Sequence, residues 1–340
     1  GDYDAAVSDL RVALRQDEGS ERALLLLART YVRKGDGVLA QDTYRRLLAV
    51  NPKHPDAPKE LASLLANQGD TAEAQEVLEA RLDVEPGDTT AASGLIQAML
   101  MQEDIEGAEA EARKLVELNE NNALAQLQLG RVMQAKGSEE EAIAAYQATL
   151  DENPRAIPAL QGLVQVWVTN ERYDEAIAYL ENYRRTNPEQ AADAGLLMGA
   201  VYAQKEDVAG AEREFREVIR IAPQVLRAYV ALAALSPTDS DEREAIYKEG
   251  LEAVPGSPEL SLLLASQYER QQRIEESISL YEAMLANNPD NLIATNNMAA
   301  LLLDFRDDAA SHEQALELAR KLEATEQPVF LDTLGWAYYR

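Results

Sequence analysis

Apolar residues recur along this chain in helical steps rather than in the two-residue alternation of a strand. In residues 123–156, Leu127, Leu129, Val132 and Met133 share one stripe, and Ala142, Ile143, Tyr146 and Leu150 share another. Two amphipathic helices are predicted there. Gly137 separates them as a left-handed stop. Ser138 is expected to cap the second helix, with Glu141 three residues later completing a capping box. Pro154 closes the unit, because proline cannot continue a helix interior.

The unit repeats. Ala6, Ala40, Ala74, Ala108, Ala142 and Ala176 stand 34 residues apart, and Ala211 follows after 35. Pro52, Pro86, Pro154, Pro188, Pro223, Pro255 and Pro289 keep nearly the same period. So do Leu27, Leu61, Leu95, Leu129, Leu163, Met198, Leu232, Leu264, Met298 and Leu334. A fixed period of this length marks an array of helical hairpins, each burying its apolar face against its neighbours. Ala28, Ala62, Gly130, Gly199, Ala233, Ala265, Ala299 and Gly335 follow the Leu/Met series. They are expected to face the Ala6, Ala40, Ala74 series and let the helix axes approach closely. Tyr44, Tyr146, Phe215, Tyr247 and Tyr281 fill the next turn.

This register predicts an all-α solenoid of antiparallel helix pairs, with 20 helices in about ten units and no linker long enough to separate domains. Residues 1–20 form a half repeat. Full repeats follow at 21–54, 55–88, 89–122, 123–156, 157–191, 192–225, 226–257, 258–291 and 292–327, and 328–340 is a second half repeat. Repeat 226–257 is two residues short, its turn runs from Ser236 to Asp241, and Arg243 stands where alanine is expected. Pro237 ends the first helix of that repeat early, which reads as a repeat with a shorter hairpin, with a kink of the solenoid at 235–241 as the sharper alternative. Repeat 292–327 has a longer turn, from Arg306 to His312. Both half repeats are expected to be sticky: Phe330, Leu334 and Tyr338 at one end and Val7, Leu10 and Leu14 at the other would lack a covering helix.

The pattern resembles the tetratricopeptide repeat (TPR) family over essentially the whole chain. The residues that carry the resemblance are Leu129-Gly130, Ala142, Tyr146 and Pro154, and again Met198-Gly199, Tyr202, Ala211, Phe215 and Pro223. The resemblance implies a right-handed superhelix whose concave groove binds peptides or proteins. The tail from Leu331 to Arg340 is also similar to a segment of long bacterial TPR proteins, some of which serve exopolysaccharide export or envelope assembly.

Composition narrows the picture. Hydrophobic residues are 46% and charged residues 27%, and Pro and Gly together number 30 of 340, which excludes long disorder. No apolar run is long enough to span a membrane. Cysteine is absent, so there is no disulfide or thiolate chemistry. The opening Gly1-Asp2-Tyr3-Asp4 is neither a signal peptide nor a start methionine, and the chain reads as a fragment whose targeting segment lies outside it. The net charge of −28 makes nucleic acid and anionic membranes poor partners. The acid is read as a solvated exterior, with salt adaptation and a basic partner as alternatives.

Catalytic and metal chemistry is missing. His54 and His312 fall in turns of distant repeats, and no HExxH, GxSxG, GxGxxG or GxxxxGKS occurs. Asp239-Ser240-Asp241 is similar to the start of a calcium loop, but the following glycine and glutamate are misplaced, so a helix cap is expected. No catalytic site, metal or cofactor is expected, and the chain is read as a non-enzyme.

By the family resemblance, the first helices line the groove through the second, fifth, ninth, twelfth and thirteenth positions of each repeat. Basic residues there are Arg22, Arg29, Arg33, Lys59, Arg131, Arg227, Arg270 and Arg340, and acidic ones are Asp56, Asp193, Glu259, Glu269, Asp304 and Asp332. The groove is therefore near neutral, with a basic patch at Arg22, Arg29, Arg33 and Lys59. Its middle is polar, through Ser93, Gln97, Gln134, Gln161, Gln165 and Thr169. The expected partner site comprises Arg22, Arg29, Arg33, Lys59, Gln97, Arg131, Gln161 and Gln165, with arginine suited to carboxylates. The Lys/Asn pairs of cochaperone TPR domains are absent at Leu25/Arg29, Lys59/Ser63, Ser93/Gln97 and Leu127/Arg131, which disfavours chaperone-tail clamping. The asparagine ladder of the glycosyltransferase-linked TPRs is absent as well, with Asn297 alone in its register.

The expected function is a non-catalytic protein-interaction scaffold in a bacterial envelope assembly, periplasmic or outer-membrane-associated before cytoplasmic. The alternatives are a binding module for an acidic polymer such as an exopolysaccharide, and the TPR appendage of a larger enzyme.

Overall fold

The computed structural model describes residues 2–325 and 327–340. Among them it contains 20 α-helices, two short 3-10 turns and no strand. The chain forms two compact units, residues 1–170 and 171–340, with the division inside repeat 157–191.

The first unit holds α1 (Tyr3–Gln16), α2 (Glu21–Lys34), α3 (Gly37–Val50), α4 (Ala57–Gln68), α5 (Thr71–Val84), α6 (Thr89–Met101), α7 (Ile105–Leu118), α8 (Ala123–Lys136), α9 (Glu139–Glu152) and α10 (Ile157–Thr169). The second holds α11 (Tyr173–Thr186), α12 (Ala191–Gln204), α13 (Val208–Ile221), α14 (Leu226–Leu235), α15 (Asp241–Ala253), α16 (Pro258–Arg270), α17 (Ile274–Asn287), α18 (Leu292–Phe305), α19 (Ala309–Arg320) and α20 (Pro328–Tyr339). Within each unit, sequential helices pack as hairpins. In the first, α4, α6, α8 and α10 also pack side by side in a row.

Two of the three periodic series form the core, and the prolines of the third are exposed in the turns. Ala40, Ala74, Ala108, Ala142, Ala176 and Ala211 are buried, as are Leu27, Leu61, Leu95, Leu163 and Met198. At two of the small residues after the Leu/Met series, Gly130 and Gly199, the neighbour is an aromatic ring rather than an alanine. A Cβ on Gly130 would lie 2.7 Å from the Tyr146 ring, and one on Gly199 would lie 2.4 Å from Phe215. Glycine here makes room for the aromatic of the second helix, whose ring spans the gap between first helices.

The turn between the two helices of a repeat has a left-handed residue at the same position in seven of the nine full repeats, 226–257 and 292–327 being the exceptions. Gly35, Gly69 and Gly137 adopt positive φ at its fifteenth position, and so do Glu103, Glu171, Glu206 and Gln272. A left-handed residue there frees its own N–H for the last turn's carbonyls: Gly137 N bonds Gln134 O and Ser138 N bonds Met133 O. The capping box at Ser138 is not made. The Ser138 side chain makes no cap hydrogen bond, and Glu141 instead accepts from Arg113 at 2.6 Å.

The short repeat behaves as its proline dictates. α14 is only 10 residues long and ends at Leu235, and Ser240 caps α15 through a hydrogen bond from Arg243 N. The intervening turn is held by side chains. Arg243 donates to Ser236 O (2.5 Å), Gln267 Nε2 to Ser240 O (3.0 Å), Gln271 Nε2 to Asp239 O (2.8 Å) and Arg270 Nε to Asp239 Oδ1 (2.7 Å). Arg243, at the alanine position, thus ties α15 to the residue that follows α14.

At the chain ends Tyr338 is exposed as expected and Leu10 is half-buried, but the other core residues expected to be bare are covered. Phe330 and Leu334 are buried against the preceding hairpin, as Val7 and Leu14 are at the other end. The exposed apolar groups are Val329, Leu331, Trp336, Tyr338 and Tyr339 on α20, and Tyr3 and Val12 on α1. Trp336 and Tyr339 stack with ring centroids 5.2 Å apart.

Candidate binding groove

All eight residues expected in the groove lie on the first unit, on α2, α4, α6, α8 and α10. Seven are exposed and Lys59 is half-buried. The structure does not leave the four-residue basic patch uncompensated. Arg29 makes a forked pair with Glu60 (Nε–Oε2 3.0 Å, Nη2–Oε1 2.5 Å) and approaches Asp56 at 3.4 Å. Lys59 lies 4.0 Å from Asp88. Arg22 and Arg33 have no ion pair among the described residues, and with Lys59 they carry the positive potential that remains. Burial alone would raise the Glu60 carboxyl. Hydrogen bonds from Arg29 and Tyr44 outweigh it and hold the group below its ordinary value.

Tyrosines from the second helices reach the groove. Tyr44 Oη donates to Glu60 (2.8 Å), Tyr146 Oη donates to Gln134 (2.6 Å), and in the second unit Tyr281 Oη donates to Glu269 (2.8 Å). Burial pushes the Tyr146 phenol up to about 12, against a small opposing effect of the Arg131 charge. These phenols are donors at any ordinary pH. Gln134 is therefore fixed from beneath, while Gln165 bonds Thr169 at 3.1 Å.

The position held by Tyr44 and Tyr146 is Leu78 in repeat 55–88. The Leu78 side chain stops short of the groove, and a cavity of about 520 Å³ opens above it. Ala62, Ala66, Ala74, Leu78, Gly94, Ala98 and Met101 make its apolar floor and wall, and Lys59, Ser63, Asn67, Thr71, Thr90, Ser93, Gln97 and Gln128 its polar lining. The cavity joins two expected residues, Lys59 and Gln97, which the groove pattern alone left unrelated. Arg22, Arg29, Arg33, Arg131, Gln161 and Gln165 are outside it. The aromatic series between Tyr44 and Tyr146 breaks at both Leu78 and Ala112, and the cavity lies over the first of them.

Buried polar groups fix the frame. Arg81 Nε donates to Asp88 Oδ2 (2.8 Å), Nη1 to Lys53 O (3.3 Å), and Nη2 pairs with Glu85. Asp88 also caps α6 by accepting from Thr90 N and Ala91 N. His54 is buried, and its Nδ1 accepts from Asp56 N and Ala57 N, both at 3.2 Å. It is therefore a helix cap for α4 in the tautomer protonated at Nε2. Among the described residues no cluster of three or more metal-ligating side chains occurs, and no helix is long and apolar enough to cross a membrane.

Tetratricopeptide repeat models match residues 1–57 and 33–99 in one form, and 100–157, 163–225 and 230–292 in another. The general transcriptional corepressor ssn6 of Schizosaccharomyces pombe is 26% identical over 107 residues, which is 32% of this chain and 9% of that protein. The chain thus matches under a tenth of that relative's length. Among solved structures, a tetratricopeptide repeat protein from Parabacteroides merdae is 17% identical, with 73% of this chain and 98% of that one covered and a TM-score of 0.48. YrrB, described as a TPR protein with an unusual peptide-binding site, is 20% identical, with 56% and 98% covered and a TM-score of 0.39.

Proposed function

The chain belongs to the tetratricopeptide repeat family, whose repeats mark a protein–protein interaction scaffold, and from that premise we propose that it binds an extended segment of a partner protein along α4, α6, α8 and α10 without performing catalysis. The observation that supports this reading most is the cavity over Leu78, which combines an apolar floor with a rim of short polar side chains. Serine, asparagine and glutamine at such a rim suit the N–H and C=O groups of an extended backbone. Carboxylates on the partner would meet Lys59, Arg22 and Arg33.

A role in a bacterial envelope assembly rests on the tail from Leu331 to Arg340 alone. An acidic polymer is the weaker occupant, because Arg29 is already committed to Glu60 and Asp56, and a polyanion needs a run of free cations.

The test is site-specific photo-crosslinking with the full chain in cells of its source. A photoreactive phenylalanine at Gln97 or Gln161 should capture a defined partner segment. The same group at Glu79 or Glu117, exposed on second helices, should not. Equal capture from all four positions, or none from the groove, removes the reading.

A further inference from the structure

The geometry points to the cavity over Leu78 as a seat for an aromatic side chain, supplied by a partner segment that carries an acidic residue beside the ring. This rests on the groove-binding reading and specifies its ligand.

The equivalent seam one repeat pair further along holds an aromatic ring. There Tyr146 fills the space between α8 and α10. A Cβ on Gly130 would lie 2.7 Å from its ring and one on Gly162 only 2.5 Å from it, so both glycines are shaped around an aromatic. The seam between α4 and α6 keeps one of the two glycines, Gly94 in the place of Gly162, while Ala62 stands in the place of Gly130 and its Cβ narrows that side of the slot. Its own second helix supplies only Leu78. A Cβ on Gly94 would meet two Leu78 methyl carbons, at 3.2 and 3.6 Å, and nothing else within 4 Å. Ala66 replaces the Gln134 that receives the Tyr146 hydroxyl, so no polar group of the first helix demands a partner there. The space that a ring takes in one seam is left open to the groove in the other. Its volume, about 520 Å³, falls within the range of about 300–1,000 Å³ typical of small-ligand sites. Aromatic side chains gain most from such a slot, because they bury a large area at little cost in rotamer entropy.

Charge selects the flank. Lys59 is the only charged residue lining the cavity, on a chain of net charge −28. The carboxylate it approaches at 4.0 Å, Asp88, is already engaged by Arg81 at 2.8 Å and by two backbone N–H groups. A carboxylate on the incoming segment therefore finds a cation with little competition, whereas a basic flank is repelled.

The test uses full-chain protein, isotope-labelled at its methyl groups, and the peptide probes Ac-Asp-Trp-Asp-NH2, Ac-Asp-Ala-Asp-NH2 and Ac-Lys-Trp-Lys-NH2. The first should shift the methyl signals of Leu78, Ala98 and Met101, and bind at least tenfold more tightly than the other two. Leu78→Tyr places the ring in cis, at the position where Tyr44 is buried in a repeat that, like this one, has alanine, Ala28, in the place of Gly130. It should keep the helical content and lose the binding. Lys59→Gln should remove the preference for acidic over basic flanks while leaving a response to tryptophan. Unchanged binding in folded Leu78→Tyr, or no preference for tryptophan over alanine, overturns the proposal. So do concentration-dependent shifts of the same methyls without peptide, which would identify a second copy of the chain as the occupant. Crosslinking from Gln97 that survives Leu78→Tyr sinks the aromatic seat and leaves groove binding standing; loss of all groove crosslinks in the wild-type chain sinks both.

Discussion

The Tyr146 ring occupies the space that a Cβ on Gly162 would need: such an atom would lie 2.5 Å from Cζ and 2.8 Å from Oη. Gly162→Ala gains helix propensity worth about 1 kcal/mol. It also forces overpacking against a ring that is 1% exposed and has nowhere to move, at about 1–3 kcal/mol. The clash should win, with a net loss of up to about 2 kcal/mol in denaturant titration. In a Tyr146→Leu background the same substitution should become neutral or stabilising, since the shorter side chain reproduces the Leu78–Gly94 seam.

The recurring left-handed turn makes a second prediction with opposite signs at equivalent positions. Gly137 has φ of 78°, and a Cβ added there would meet nothing within 4 Å, so Gly137→Ala isolates the backbone cost. Glu206 sits in the same turn with φ of 64°. A non-glycine residue there costs about 1–2 kcal/mol. Gly137→Ala should lower stability and Glu206→Gly should raise it, each by about 1 kcal/mol after the flexibility of glycine in the unfolded chain is counted. Equal signs in paired thermal melts would refute the explanation.

Much of this architecture was legible because it is periodic. Gly137 reads as a stop, and the Leu27 and Ala40 series read as core, since a helix shows its buried face every three to four residues. What was not legible depends on partners far apart in sequence. Glu141 resembles half of a capping box, yet its carboxylate is taken by Arg113 on the preceding hairpin. Arg29 reads as a free groove cation until Glu60, 31 residues on, is found clasping it. The cavity was the subtler case. It is written as an absence, Leu78 in an aromatic register, and periodicity draws attention to what recurs.

The Glu244 cluster gives a pH prediction. Hydrogen bonds from Arg273 at 2.6 Å, from Lys248 at 2.6 Å and from Tyr268 at 3.1 Å hold this carboxyl down to about 2, from an ordinary 4.5, against the opposing effect of burial. Its folded-state value is lowered, so its contribution is complete above about pH 4.5 and disappears as pH falls through about 2. Glu244→Gln should therefore be less stable than wild type at pH 7, and the gap should close steadily below pH 4.5. A gap that is constant from pH 7 to pH 3 would show that the charge plays no part.

His54 caps α4 through a ring nitrogen rather than a carboxylate or hydroxyl. Losing an N-cap acceptor costs about 0.5–2 kcal/mol. His54→Ala should cost about this much and raise amide exchange at Asp56 and Ala57 first, because both N–H groups lose their acceptor. His54→Asn should recover part of the loss if its shorter side chain reaches the same donors. Exchange that is unchanged at those two amides would contradict the capping role.

Arg81 tests how the joint between α5 and α6 supports the cavity. Its guanidinium is 5% exposed and ties Asp88, Glu85 and the Lys53 carbonyl to one point, beneath the lip formed by Lys59 and Thr90. Breaking a buried pair costs about 3–5 kcal/mol when the surviving charge is abandoned. Asp88 would not be abandoned, because Thr90 N and Ala91 N still bond it. Arg81→Met should therefore cost less, about 2–3 kcal/mol. Adding Asp88→Asn removes the stranded charge while keeping a good capping side chain, so the double variant should be more stable than Arg81→Met alone. The local consequence should appear as faster amide exchange in residues 85–95 and weaker binding of any ligand seated over Leu78. If the double variant is less stable than Arg81→Met by the full cost of a lost cap, Asp88 serves the helix terminus alone and the ion pair has no share in holding the joint.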